Sequence, residues 1–208
     1  MIATAGRAAL TRWVPVAGFV LLLAGACLSA RAVYLREKAA LAKVLISRAW
    51  DETLRTGRPE PPWPWADTHP IGRLVIPSIG YDEIVLEGAS PRNLAFGPAR
   101  LMNAAAPGEA GNLVLAGHRT SWFLPLQDVK RGAEVVLEWR DDAAGTPRRR
   151  SYRVREISVI DPGDIRFLRP TEDDYLTLIT CYPFGRGLRS PRRYVVRAMA
   201  DGPATGAS

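Results

Sequence analysis

The sequence predicts a mainly β domain, an antiparallel barrel or sandwich of seven or eight strands with short helices, preceded by a membrane-spanning helix. Three observations carry this. A long uncharged run opens the chain, the region from about residue 69 onward is built of short runs rich in β-branched residues, and Gly and Pro separate those runs at intervals too short for crossover helices. The 208 residues divide naturally into one globular domain and something smaller. A hydrophobic fraction of 47% with 24% charge, and six Trp, six Tyr and five Phe, suffices for a packed core and excludes wholesale disorder. Two Cys and two His exclude a disulfide framework and make a structural metal site a poor fit.

The elements follow in order. Residues 1–12 form a short N-terminus carrying Arg7 and Arg12. Between Trp13 and Ala30 lie 18 consecutive uncharged residues, a helix of about 27 Å at 1.5 Å per residue. Arg31 can snorkel while Ala32, Val33, Tyr34 and Leu35 continue the apolar path, so the span is set at 13–35. A cleaved signal peptide and a lipoprotein signal ending at Cys27 fit less well, because the run is long for a signal core and the lipidation spacing is off by one. A long following domain crosses largely regardless of its charge, which sets residues 1–12 in the cytoplasm and the rest outside the inner membrane. Over 36–56, Ala39, Ala42, Leu45, Ala49 and Thr53 recur at three- and four-residue steps, the period of an amphipathic juxtamembrane helix.

Five of the 17 Pro fall between Pro59 and Pro70, which marks residues 57–70 as a stiff, extended linker. Trp63 and Trp65 suit free solvent poorly, so the linker is expected to lie back on the following domain and to be a candidate lid. The domain spans 71–200, with strands in GRLVIPSI, DEIVLE, NLVLAG, AEVVLEW, SYRVREISVI, YLTLIT and RRYVVRAM. DDAAGTPRRR reads as a polar hairpin connection, Ser121 to Val129 as a short helix, and 201–208 as a flexible tail.

Cys181 is the single thiol of this domain, placed where the strand YLTLIT ends at Tyr182-Pro183. The bland reading is a buried Cys acting as a small hydrophobe. Its place at a strand end, where side chains pass from the sheet into loops, favours a site instead. His118 ends the strand NLVLAG in the same way, and a thiol with an imidazole is the minimal pair for nucleophilic catalysis. Arg186, Arg189, Arg192, Arg193 and Arg197 all follow Cys181 within 16 residues. Positive charge favours a thiolate and can hold a developing oxyanion.

The run Thr177-Leu178-Ile179-Thr180-Cys181 resembles the TLxTC signature of sortases, Ala116-Gly117-His118 resembles their strand-end His motif, and Arg193-Tyr194-Val195-Val196 resembles the strand carrying their essential Arg. The similarity covers roughly residues 69–200, and WPWAD with TCYPFG looks like the proteobacterial branch that serves a dedicated target protein. The resemblance implies an eight-stranded sortase barrel and a Cys transpeptidase acting on a C-terminal LPxTG-like signal. Cys181 would attack the Thr carbonyl, His118 would handle the protons, and Arg193 would bind substrate or oxyanion, with Arg192 as the alternative on the opposite strand face. Thr180, Arg189 and Arg119 are candidate substrate contacts, and the loop FGRGLRSP helps shape the groove. No acidic cluster of the calcium-binding kind stands out, so neither metal nor cofactor is expected. The partners implied are one dedicated LPxTG-like target protein and the membrane. Nucleic acid is excluded despite the net charge of +7, because an exported domain lacks both the access and an aromatic-rich basic motif. Two other readings remain: a non-catalytic envelope-binding domain with an inert Cys181, and an L,D-type cysteine transpeptidase. The second is disfavoured because Cys181 follows Thr and not Gly, and its His lies 63 residues upstream.

Overall fold

Side chains of β1 (Pro70–Ile76) alternate strictly between buried and half-buried, as a two-residue period against a core requires. The computed structural model describes residues 5–141, 145–185, 189 and 191–206. β1 is followed by β2 (Tyr81–Leu86), β3 (Ala99–Arg100), β4 (Asn112–Ala116), β5 (Glu134–Asp141), β6 (Thr146–Ile160), β7 (Tyr175–Tyr182), β8 (Arg192–Ala200) and β9 (Thr205–Gly206). Hydrogen bonding runs β5-β1-β2-β3-β4-β7-β8-β6, and β6 pairs back onto β5, so eight strands close into the barrel. The pairings are antiparallel except β2 with β3 and β4 with β7. Closure removes the exposed edges that would template aggregation.

The interior is filled by Leu74, Ile76, Leu115, Phe123, Leu126, Leu137, Leu176 and Leu178, all essentially inaccessible. Burying one such side chain contributes about 1.5–3 kcal/mol. Because successive residues face opposite sides, burial of Leu113 and Leu115 on β4 and of Leu176 and Leu178 on β7 turns Val114, Ala116, Thr177, Ile179 and Cys181 to the outer face.

The N-terminal helix α1 is assigned to Ala5–Thr56. Its part up to Ala42 forms one compact unit, and Lys43 onward belongs with the barrel. In the first unit an apolar stretch of mean hydropathy 1.8 leaves side chains such as Leu21 and Leu22 more than 70% exposed. Such a surface is a candidate membrane span. In the second unit Ile46, Ala49, Trp50 and Thr53 are buried, a stripe at helical spacing. Ile46 joins Leu86 and Ala99 in a second apolar cluster that also takes up Trp63 and Phe96. Trp63 meets Phe96 edge-on, ring centres 5.0 Å apart. Thr68 donates to the Glu87 carbonyl (2.7 Å) and Glu87 N–H to the His69 carbonyl (2.9 Å), so the Pro- and Trp-rich segment lies on the barrel wall, with Trp65 left exposed.

Four elements differ from the sequence expectation. β3 is only two residues long, too short for any alternation to reveal it. β6 begins at Thr146, inside the expected polar connection, because its arginines find partners: Arg148 pairs with Asp141 (3.7 Å) and Arg150 with Asp174 (2.8 Å). Asp142, Ala143 and Ala144 lie outside the described residues. Ser121–Val129 holds a 3-10 helix only over Leu124–Asp128, since the preceding residues form the turn after β4. Thr205 and Gly206, assigned to a flexible tail, pair with Arg149 and Arg148 of β6.

Candidate active site

Strands β7 and β8 bring Cys181 and Arg193 to one end of the barrel's outer face, and His118 follows the end of the neighbouring strand β4 by two residues. The parallel β4–β7 register places Ala116 opposite Ile179. The ladder stops there; beyond it Gly117 N–H donates to the Ile179 carbonyl (3.3 Å) and the Thr180 hydroxyl to the Gly117 carbonyl (2.7 Å), so the segment carrying His118 adjoins the one carrying Cys181. On the other side the antiparallel register sets Cys181 directly opposite Arg193, and Tyr182 opposite Arg192. Directly opposed side chains share a face with Cβ atoms about 4.5–5.5 Å apart. Arg193 therefore shares the face of Cys181, and Arg192 takes the other. His118 is exposed, Cys181 and Arg193 are half-buried, and Arg192 is exposed.

The segment before His118 is shaped by packing. A Cβ on Gly117 would stand 2.8 Å from the ring of Phe123, which is wholly buried. Glycine is required there because the turn folds Phe123 back under it, with Phe123 N–H donating to the His118 carbonyl (3.0 Å). After Cys181 the chain passes a cis Tyr182–Pro183 bond into a cluster of Tyr182, Phe184 and Tyr194, with Phe184 and Tyr194 centroids 5.0 Å apart. Burial, with lesser contributions from Tyr182 and Asp128, raises the Tyr194 hydroxyl above its ordinary pKa.

The remaining candidates fall differently. Thr180 is buried, and its hydroxyl donates to the Gly117 carbonyl at 2.7 Å, so that group is committed to the protein and not turned to a groove. Arg119 is half-buried and donates to the Pro183 carbonyl at 2.5 Å. Arg189 is exposed, while Arg186, Gly187, Leu188 and Ser190 of the same loop lie outside the described residues.

On the outer face beside β4, a groove of about 980 Å³ has Val114 in its lining and is walled by Leu101, Met102, Ile165, Leu168 and Arg169, largely apolar groups. The wall formed by the β6–β7 connection is fastened by a buried pair that sequence reasoning missed. Asn112 donates its amide to the carbonyls of Phe167 (2.8 Å) and Arg169 (3.1 Å), and Thr177 donates to the Asn112 carbonyl oxygen (2.7 Å). Phe167 packs with Ile160, Val195 and Ile179 against the same face. Asp67, from the Pro- and Trp-rich segment, also borders the groove. Among the described residues no cluster of three or more His, Cys, Asp and Glu is placed to hold a metal. A thiol and a guanidinium on one face, with an imidazole in the adjoining segment, offer a nucleophile, an anion partner and a proton carrier.

Comparison with known proteins follows the same residues. Residues 74–201 match the Sortase domain family. Sortase D of Bacillus subtilis is 27% identical over 128 residues, and Sortase A of Listeria monocytogenes 29% over 115 residues. These alignments cover 60% and 53% of this chain, but only 61% and 49% of those proteins. Among solved structures, Listeria monocytogenes sortase A superposes with a TM-score of 0.57 at 25% identity, covering 67% of this chain and 91% of that one. A Sortase D transpeptidase of Clostridium perfringens has the same fold, with a TM-score of 0.62 at 22% identity over 78% of this chain and 99% of that one.

Proposed function

Because this chain belongs to the sortase family, whose members are cysteine transpeptidases, we propose that it cuts an LPxTG-like C-terminal sorting signal between Thr and Gly and passes the acyl group to an amine or to water. Cys181 attacks the Thr carbonyl carbon as the thiolate, and the carbonyl electron pair moves onto oxygen, where Arg193 meets the charge. His118 gives a proton to the departing Gly amine, leaving a thioester on Cys181. The incoming nucleophile gives a proton to His118 and displaces the thiolate. The single observation supporting this reading is that Cys181 is flanked by the His118 segment, bonded to β7 through Gly117, and by Arg193, its direct cross-strand partner.

The apolar groove beside β4 suits the Leu-Pro end of such a signal. Its two charged neighbours, Arg169 and Asp67, bear on the variable residue. The N-terminal helix is the anchor in this reading, single-pass in the inner membrane with residues 1–12 cytoplasmic and the barrel outside. A single dedicated target protein, as in the proteobacterial branch, is the partner. The Pro- and Trp-rich segment borders the groove through Asp67, which suits a lid or a rim. The test uses the full chain in detergent micelles, with fluorogenic peptides of LPxTG-like sequence and Cys181→Ala in parallel. Cleavage between Thr and Gly that disappears in the variant supports the reading. Failure to cut any peptide, with a Cys181 that resists alkylation in the folded protein, favours a non-catalytic envelope-binding domain.

A further inference from the structure

The last ladder pair between β4 and β7 is Ala116 with Ile179, followed by one backbone bond from Gly117 N–H to the Ile179 carbonyl (3.3 Å). Beyond it, side chains continue the pairing. Thr180 donates its hydroxyl to the Gly117 carbonyl at 2.7 Å, and Arg119 donates from its guanidinium to the Pro183 carbonyl at 2.5 Å. His118 lies between Gly117 and Arg119, and Cys181 lies between Thr180 and Pro183. The same two cross-links therefore bracket both reactive residues.

We propose that Arg119 is a positioning residue that fixes the separation of His118 and Cys181 by tying the turn after β4 to the start of the β7–β8 connection. This rests on the reading of that pair as the reacting groups. One cross-link alone leaves the two segments free to hinge about Gly117 and Thr180; a second, three residues further along the chain at Pro183, removes that freedom. A charged donor on a neutral carbonyl makes a short, strong bond, and the half-burial of Arg119 protects it from water. The guanidinium is thereby committed to the enzyme's own backbone, which separates this role from the substrate contact that the sequence suggested. The Cys181 thiolate and the His118 proton must reach the two sides of one scissile bond, which depends steeply on their separation, so the bond acts on turnover and not on substrate affinity.

The test compares Arg119→Met, which keeps the length of the side chain and removes donor and charge, with Arg119→Lys, which keeps a charged donor. Both are made in the full chain in detergent micelles. Peptide cleavage supplies kcat and KM, and iodoacetamide alkylation of Cys181 from about pH 5 to about pH 9 reads the thiol–imidazole coupling without any substrate. The Met variant is expected to lose on the order of tenfold to a hundredfold in kcat with KM held within about twofold. Its alkylation profile shifts along the pH axis, and Lys recovers most of both changes. A kcat within about twofold of the parent with an unmoved alkylation profile overturns the proposal, as does a raised KM at constant kcat, or a Lys variant no better than Met. If the thermal midpoint of the Met variant collapses, Arg119→Gln, too short to reach Pro183, carries the same comparison. A parent that cuts no peptide while the Met variant still shifts the alkylation profile supports the positioning and refutes the sorting-signal reading. Normal cleavage with neither readout moved refutes the positioning alone.

Discussion

Cys181 on β7 and Arg193 on β8 are direct cross-strand partners, so the thiol and the guanidinium leave the sheet on the same side. Arg192, one residue earlier, is opposite Tyr182 and faces the other way. Arg193→Ala is therefore expected to lower kcat/KM on the order of a hundredfold to a thousandfold, the usual loss when one oxyanion donor is removed. Arg192→Ala is expected to stay within a few-fold of the parent. Steady-state cleavage of the same peptide by both variants decides it, and the reverse ranking would mean that the register argument has chosen the wrong arginine.

Gly117 carries the second prediction. Its missing Cβ makes room for the Phe123 ring, and a methyl group 2.8 Å from that ring has nowhere to go in a filled core. Gly117→Ala is expected to cost about 1–3 kcal/mol by overpacking and to slow turnover by displacing His118. Urea unfolding measures the first effect. Adding Phe123→Leu trims the obstructing ring, and the double variant should be less destabilised than the sum of the two single changes. Simple additivity would show that the ring is not what excludes a side chain at 117.

The line between what was legible in the sequence and what was not runs through this site. The sequence marks His118, Cys181 and Arg193 as candidates because each sits at or just beyond the end of a recognisable β-branched run, and the TLxTC motif lies in β7. What those motifs do not carry is how distant segments meet. Asn112 and Thr177 are separated by 65 residues and join only because β4 and β7 pair in parallel. Thr180 and Arg119 read as polar residues available to a ligand, yet each is used by the backbone of a neighbouring segment. β3 escaped notice because two residues have no period, and the start of β6 because its arginines look solvated until their carboxylate partners are known.

Asn112 follows from that pairing. Its amide holds two carbonyls of the groove wall, and its oxygen accepts from Thr177; the bonds to Phe167 and Thr177 are buried and that to Arg169 is part-buried. Asn112→Ala orphans these partners at about 1–3 kcal/mol for each group left unsatisfied. Because the wall carries Ile165, Leu168 and Arg169, its release is expected to raise KM for a peptide substrate more than it lowers kcat. A variant that loses kcat with KM intact would place the effect at Cys181 and not in the groove.

His69 ties the stability of the Pro- and Trp-rich segment to pH. Burial holds its imidazole below the ordinary value of 6.5; Glu87 opposes this and Arg100 adds to it. The folded protein thus resists protonating His69, while the unfolded chain accepts the proton near 6.5. In the window just below 6.5 the unfolded state binds more protons, so stability rises with pH there. The contribution of neutral His69 is fully present above 6.5 and is lost as pH falls toward the lower folded value. Its carbonyl also receives the Glu87 N–H bond, and its ring lines a small cavity with Trp50, Thr53 and Arg140, so protonation loosens the junction between the last turns of α1 and β1. His69→Gln keeps the backbone bond and removes the titration. Thermal midpoints from about pH 5 to about pH 7.5 should therefore show a shallower slope for the variant than for the parent. Parallel slopes would assign the acid sensitivity of the protein to other groups.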